Sequence, residues 1–173
     1  MSEDPEEVLA EAKRGGSGFG GEPTGAAAWG EHASSCEVLG PAPALERSRV
    51  IRFDGAGWEL VRPQPYRRDG ASFRGVTRHL LAAPREAAFE VRYFEVEPGG
   101  YSTYERHQHV HVVVCLRGRG RVRLGEEVHE LGFGDVVYVA PGDPHQFLNP
   151  YAEPFGFLCI VDQSRDRPVP IGG

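Results

Sequence analysis

The chain has 173 residues, of which 40% are hydrophobic, and it carries a net charge of −6. This size suits one domain with a tail, and the acidic balance argues against nucleic acid or an anionic membrane surface as a partner. No apolar run reaches the roughly 18 residues that a membrane-spanning helix needs.

Residues 1–44 predict an N-terminal arm that lies outside the compact domain. Residues 5–14 favour a short helix, with Pro5 in its first turn, and the glycine-rich stretch that follows favours a mobile segment. The chain begins with an acidic stretch that lacks the basic and apolar blocks of a secretory signal, so we expect a cytoplasmic protein. Three cysteines without close pairing argue against a disulfide framework.

Residues 45–173 predict a single β domain. Their short segments are rich in β-branched and aromatic residues, many alternate polar with apolar positions, and Gly or Pro separates them. No stretch between residues 45 and 162 has the pattern of a long amphipathic helix. The fold class that we predict is therefore all-β, a sandwich or barrel. The predicted strands read RVIRF, WELV, FRGVTRHLL, AFEVRYFEVEPGG, HVHVVVCLRG, GRVRLG, EEVHEL, GDVVYVAPGD, HQFLN and FGFLCIV.

Alternating ionisable residues mark the middle of this domain. Glu105, His107, His109 and His111 share one parity, so an extended strand would point all four side chains to the same face. A buried strand face rarely carries so many ionisable groups unless a ligand holds them. Imidazole and carboxylate groups suit Zn, Mn, Fe, Ni or Cu. A further histidine, His145, lies beside a Gly/Pro turn and would complete such a site at the mouth of a barrel.

The spacing of these residues resembles the two motifs of the cupin family. The second motif, G-x5-P-x-G-x2-H-x3-N, matches residues 134–149, with Ala140 in place of the proline. The first, G-x5-H-x-H-x3–4-E-x6-G, matches residues 99–118 with its ligand types exchanged. Glu105 takes the place of the first histidine, and His111 takes the place of the glutamate.

This resemblance implies a double-stranded β-helix barrel with one divalent transition metal inside its mouth. The implied metal ligands are Glu105, His107, His111 and His145. In the alternative interpretation, His107 and His109 form the ligand pair and Glu105 orients an imidazole. Segments such as LRGRGRV and VDQSRDRP further resemble a subgroup of small manganese cupins. Manganese is therefore the metal that we expect, with Fe, Zn and Ni as alternatives.

Two cysteines are candidate catalytic residues. Cys115 continues the parity of His111, and Cys159 lies in the apolar segment FGFLCIV. Each is either a small core residue or a thiol nucleophile near the metal. The subgroup resemblance implies transfer of a methylthio group from a ketose phosphate to a thiol, with one of these cysteines as acceptor. An arginine, such as Arg121 or Arg123, would then hold the phosphate.

The same metal pocket suits other functions, because the fold alone does not decide the chemistry. The alternatives are an iron or manganese dioxygenase, a sugar-phosphate isomerase, and a non-catalytic module that binds a metal or small molecule. The N-terminal arm is too short and glycine-rich to supply a helix-turn-helix domain, which favours an enzyme over a regulator. Since cupin barrels commonly pair, the resemblance also implies a homodimer.

Overall fold

The computed structural model describes residues 48–66 and 72–171, so the predicted arm of residues 1–44 lies outside the described part of the chain. All regular structure in the described residues is β-strand, and no helix there is long and apolar enough to cross a membrane. The strands are β1 (Gln64–Pro65), β2 (Arg74–Ala82), β3 (Phe89–Tyr101), β4 (Glu105–Arg106), β5 (His111–Arg117), β6 (Gly120–Leu124), β7 (Glu127–Leu131), β8 (Val136–Val139), β9 (His145–Leu148), β10 (Phe155–Asp162) and β11 (Val169–Pro170).

The strands form one curled antiparallel sheet. Its main path runs β11-β4-β9-β3-β10-β5-β8, while β2 lies beside β3 and the β6–β7 hairpin lies beside β9. The inner face carries the hydrophobic core, in which Val96, Val113 and Phe155 are fully buried. This all-strand barrel confirms the fold class predicted from the sequence.

Alternation along β8 and the second half of β10 separates the inner face from the outer face. In β8, Val137 and Val139 are buried, whereas Val136 and Tyr138 are exposed. Successive side chains of a strand point to opposite faces, so a short apolar strand can fill the core on one side only. The same alternation in β10 places Cys159 inside.

Several hydrogen bonds hold the second motif against the first motif and against β3. The Gly142 amide donates to the His107 carbonyl oxygen at 2.7 Å. At the far end, the buried Asn149 side chain donates through Nδ2 to the Val96 carbonyl oxygen at 2.8 Å. The two histidine-bearing segments, which are distant in sequence, therefore lie side by side at one mouth of the barrel.

The structure corrects the predicted strands in several places. The segments RVIRF and WELV form only an isolated bridge between Phe53 and Trp58. The predicted strand from His109 begins only at His111, because residues 107–110 form a bend. Their amides and carbonyls bond to loops and to Asp166 rather than to a neighbouring strand. The short β1 and β11 were not predicted.

Candidate metal centre

A cavity of about 250 Å³ opens into the barrel at the mouth where the two motifs meet. Its wall combines histidines, arginines and acidic side chains with apolar residues from the core. The polar and thiol-bearing members of this wall are Arg78, Arg92, Ser102, Glu105, His107, His109, His111, His145, Cys159, Arg165, Asp166 and Arg167.

Three histidines form a compact cluster in this cavity. His107 lies in the bend after β4, His111 begins β5, and His145 begins β9. One ring nitrogen from each lies within 4.8 Å of the others. The extended run expected from the sequence is broken between His107 and His111, yet the bend still brings both rings into one site. We therefore identify this cluster as a candidate metal centre.

Backbone carbonyls fix the orientation of two of these rings. His107 Nδ1 donates to the His109 carbonyl oxygen at 2.8 Å, and His145 Nδ1 donates to the Asp143 carbonyl oxygen at 3.0 Å. A carbonyl can only accept, so each Nδ1 carries the proton and each Nε2 carries a lone pair. This is how metal-binding histidines are oriented in proteins. The buried Nε2 atoms of His107 and His111 have no hydrogen-bond partner in the described residues, which fits a metal between them.

Burial keeps the three imidazoles neutral. Loss of solvation, reinforced by the neighbouring histidines, lowers the pKa of His107 to about 4. The same cause lowers the pKa of His111 further still, and it also lowers the pKa of His145. Since a protonated imidazole cannot coordinate a metal, the site is ready to bind a cation at neutral pH.

Glu105 lies on the wall of the same cavity but is not a member of the three-histidine cluster. Its strand β4 pairs with β9 such that Glu105 is directly opposite His145. The side chain is buried, which is unusual for a carboxylate unless a partner holds it. Its role as a fourth ligand stays a prediction.

His109 takes a different position from the cluster. Its Nδ1 bonds to Asp166 Oδ1 at 2.6 Å, and its ring stacks on His107 with centroids 3.7 Å apart. Asp166 also accepts hydrogen bonds from the amides of Gln108 and His109. These bonds, led by that from Gln108, hold the pKa of Asp166 well below its usual range. His109 thus already has a carboxylate partner.

The two inward-facing cysteines both pack in the hydrophobic core, but only Cys159 also lines the cavity. Cys159 is on the cavity wall, where Arg92 Nη2 donates to its sulfur at 3.5 Å. Cys115 is fully buried in the hydrophobic core, and burial, together with the Asp135 charge, raises its pKa to about 11. Burial also raises the pKa of Cys159, although Arg92 opposes that shift.

Sequence reasoning missed the arginines of the cavity. Arg121 pairs with Glu130 at 2.6 Å, and Arg123 bonds to the Gly125 carbonyl oxygen, so neither lines the cavity. The wall instead carries four other arginines, Arg78, Arg92, Arg165 and Arg167. A signal for two of them was present in the sequence. Arg78 shares the inward parity of Val76, and Arg92 shares that of Phe94.

Comparisons with known proteins agree with this architecture. The sequence matches the Cupin_2 family, a cupin domain, over residues 92–161. It is 45% identical over 112 residues to a 1-methylthio-D-xylulose 5-phosphate methylsulfurylase of Rhodospirillum rubrum, covering 64% of this chain and 72% of that protein. A solved cupin-2 domain structure from R. rubrum has 40% identity and a TM-score of 0.62, covering 73% of this chain and 82% of that one. A cupin 2 conserved barrel protein from Rhodopseudomonas palustris has 43% identity and a TM-score of 0.64, covering 71% and 85%.

Proposed function

Because this chain belongs to the cupin family, we propose that it is a metal-dependent enzyme acting on a small anionic ketose derivative. More narrowly, it transfers a methylthio group from a 1-methylthio-ketose phosphate to a thiol. The observation that carries this proposal is the content of one cavity, where three clustered imidazoles share a wall with four arginines and a thiol. The similarity to the R. rubrum methylsulfurylase supports the same substrate class.

In this proposal His107, His111, His145 and Glu105 hold one divalent metal, with manganese as the first expectation. The unpartnered Nε2 atoms and the neutral state of the imidazoles support the three histidines. Glu105, opposite His145 across two paired strands, adds the carboxylate oxygen that suits manganese. When bound, such a metal supplies a Lewis acid for a substrate carbonyl oxygen.

The arginines provide the charge that recognises a phosphate. They outnumber the two carboxylates of the cavity wall by four to two. Arg92 stacks over the Phe94 ring at 5.4 Å, and its buried Nε has no hydrogen-bond partner among the described residues. A buried guanidinium donor without a partner is costly, and a phosphate oxygen would satisfy it. The substrate phosphate therefore lies beside Arg92.

The transfer conserves atoms and electrons without an added oxidant. The sulfur of the acceptor thiol attacks the sulfur of the methylthio group, so that an S–S bond forms and the C–S bond to the ketose breaks. The electron pair of the broken bond stays on the carbon next to the carbonyl, and that carbon takes up the proton released by the thiol. The sulfurs are oxidised, the carbon is reduced, and the products are a methyl disulfide and a 1-deoxyketose phosphate.

Cys159 is the acceptor that we favour within the chain. A small thiol then attacks the methylthio sulfur on Cys159, so that a small methyl disulfide leaves and Cys159 recovers its thiol with the proton of the small thiol. Cys159 faces the cavity, and Arg92 stabilises its thiolate through a charge-assisted contact to sulfur. That contact is needed because burial raises the pKa of this thiol. Cys115 stays a second candidate, which lies in the core rather than on the cavity wall.

The test is a turnover assay on the full chain loaded with Mn²⁺. A 1-methylthio-ketose phosphate is supplied with and without a small thiol, and NMR and mass spectrometry follow the sugar and sulfur products. We expect a 1-deoxyketose phosphate together with a methyl disulfide. The His111→Ala variant serves as the metal-site control, and elemental analysis gives its metal content.

Other outcomes would separate the alternatives. Conversion of ketose to aldose phosphate with retention of sulfur would replace the transfer by isomerisation. A chain that takes up no Mn, Fe, Zn or Ni would refute metal dependence. A metal-loaded chain that leaves every tested ketose phosphate unchanged would refute the substrate class.

A further inference from the structure

The C-terminal residues 163–171, which we name the strap, cross the mouth of the cavity. At one end Gln163 bonds through its amide to the Ala88 carbonyl oxygen at 2.8 Å. At the other end β11 pairs with β4, so that Pro170 is opposite Glu105. Between these attachments, residues 165–168 form part of the cavity wall. The strap therefore contributes to the site although it lies outside both histidine motifs.

Asp166 is the point where the strap meets the histidine segment. Its carboxylate accepts from the Gln108 amide at 2.9 Å, from the His109 amide at 3.1 Å and from His109 Nδ1 at 2.6 Å. A single side chain thus satisfies two backbone donors and one ring donor of the bend at residues 107–110. The two backbone amides are donors that would otherwise need a partner on a neighbouring strand.

The held segment in turn supports a member of the metal cluster. The His109 ring lies nearly parallel to the His107 ring, with an interplanar angle of 9°. The His109 carbonyl accepts the Nδ1 proton of His107. His109 therefore contacts His107 both through its ring and through its backbone, and Asp166 fixes both parts of His109.

From these contacts we propose that Asp166 is a positioning residue for the metal centre. By clamping His109, it holds the His107 ring with Nε2 directed at His111 and His145. Binding of the strap to the histidine segment thus raises the affinity of the cluster for its metal. This inference rests on the proposed function, because it concerns the same cluster, but it assigns a role to a residue outside both cupin motifs.

The experiment measures Co²⁺ binding to the full chain by calorimetry, with the visible absorption spectrum of bound Co²⁺ as a second signal. Removing a partner that orients a metal ligand typically lowers affinity on the order of 10–100-fold. We expect a loss in this range for Asp166→Asn, together with a changed Co²⁺ spectrum. The spectrum reports ligand geometry, which a general loss of stability does not alter.

Asp54 offers a matched control. Its Oδ1 also accepts two backbone amides, from Ala56 at 2.9 Å and Gly57 at 2.8 Å, but it does not line the cavity. Asp54→Asn should leave both the Co²⁺ affinity and the spectrum as in the wild type. Wild-type affinity and spectrum in Asp166→Asn would overturn the positioning role.

A second variant protects the test against misfolding of the first. His109→Phe keeps a ring that can stack on His107 but removes the Nδ1 donor. We expect it to reproduce the affinity loss of Asp166→Asn, and the double variant to lose little more, because the two act as one unit. Additive losses would overturn the clamp. A wild-type chain that binds neither Co²⁺ nor Mn, Fe, Zn or Ni would overturn the proposed function itself, and the clamp with it.

Discussion

Two buried thiols on the inner face of the barrel differ in what they can reach. Cys159 contacts Arg92 on the cavity wall, whereas Cys115 is surrounded by core residues. We therefore expect Cys159→Ser to lower methylthio transfer by more than about tenfold, an effect of roughly 1.4 kcal/mol on the barrier. Steady-state kinetics at saturating Mn²⁺ measures this loss, and unchanged turnover would rule Cys159 out as acceptor.

The Cys115→Ser substitution is the matched comparison. A serine hydroxyl at this position would lie in an apolar core without a hydrogen-bond partner, which lowers the free energy of unfolding by about 1–3 kcal/mol. We expect a lower free energy of unfolding in urea, with metal content and turnover close to the wild type. A selective loss of turnover in this variant would instead make Cys115 the catalytic thiol.

The Asn149 side chain bonds to three backbone groups at the end of the second motif. It is 1% exposed, its Nδ2 donates to the carbonyls of Val96 and Glu153, and its Oδ1 accepts from the Tyr151 amide. Asn149→Ala leaves these groups without partners, so we expect a loss on the order of 3 kcal/mol of unfolding free energy.

Gln146 provides the control for the Asn149→Ala substitution. Its Nε2 makes one hydrogen bond, to the Ser102 carbonyl oxygen, and the side chain is only partly buried. Gln146→Ala should cost about 1 kcal/mol. Urea unfolding followed by circular dichroism compares the two variants. Equal losses would show that the second motif's asparagine does not hold the barrel ends together.

At the scale of elements, two glycines in the turns before and after β6 differ in how closely a neighbouring backbone approaches them. Gly118 precedes β6 with φ of +62°, and an added Cβ would lie 2.2 Å from the Pro154 carbonyl oxygen. Gly125 follows β6 with φ of +59° and open space around the Cβ position. Both conformations are left-handed, which costs a non-glycine residue about 1–2 kcal/mol, but only Gly118 adds a clash.

We accordingly expect Gly125→Ala to lower stability by about 1 kcal/mol. Gly118→Ala should lower it by at least about 3 kcal/mol. Thermal unfolding of the two variants gives the comparison directly. A smaller loss at Gly118 than at Gly125 would mean that the β5–β6 turn can move away from Pro154.

The strands and the histidine cluster show how much of the fold and of the candidate site the sequence predicts. Strands of alternating residues were predictable, because one face must be buried and the other solvated. The histidine cluster was predictable from motif spacing, although the parity argument assumed a strand where the structure has a bend. The amides of the bend bond to Asp166, which is 57 residues beyond His109. Neither alternation nor motif spacing reports such a long-range partner.

The arginines of the cavity illustrate a second limit. Arg117, Arg119, Arg121 and Arg123 form a visible cluster in the sequence, but none of them lines the cavity, and three form ion pairs outside it. Arg165 and Arg167 reach the cavity only because the strap folds back over the mouth. Local charge density therefore pointed to the wrong arginines, since tertiary position decides which charges converge.

At the scale of the whole barrel, the described residues include a broad apolar surface on its outer face. On the outer face of β5, β8 and β10, Leu116, Val136, Tyr138 and Ile160 are between 36% and 64% exposed. Register places Val112 and Val114 between them, opposite Tyr138 and Val136. In the described part of the chain, β8 pairs only with β5 and leaves its other edge free. We name these side chains and the β8 edge the outer apolar face.

We expect a second copy of the chain to bind to the outer apolar face. Two copies that each carry a net charge of −6 repel one another, so they need a contact patch without acidic groups. The outer apolar face supplies neutral side chains and an edge strand that can pair antiparallel with itself about a two-fold axis. Exposed apolar surface of this kind marks an interaction site. The homodimer expected from the sequence would form here.

Tyr138→Glu tests this assembly, because it sets two carboxylates against each other near the two-fold axis. We expect the wild type to sediment at twice the 19.0 kDa chain mass and the variant to sediment as a monomer. Val128→Glu is the control, since Val128 is 57% exposed on β7, away from this face. A monomeric wild type, or a Tyr138→Glu variant that stays dimeric, would contradict the prediction. Because Tyr138 points away from the cavity, the monomer should still bind one metal per chain, which separates assembly from the chemistry of the site.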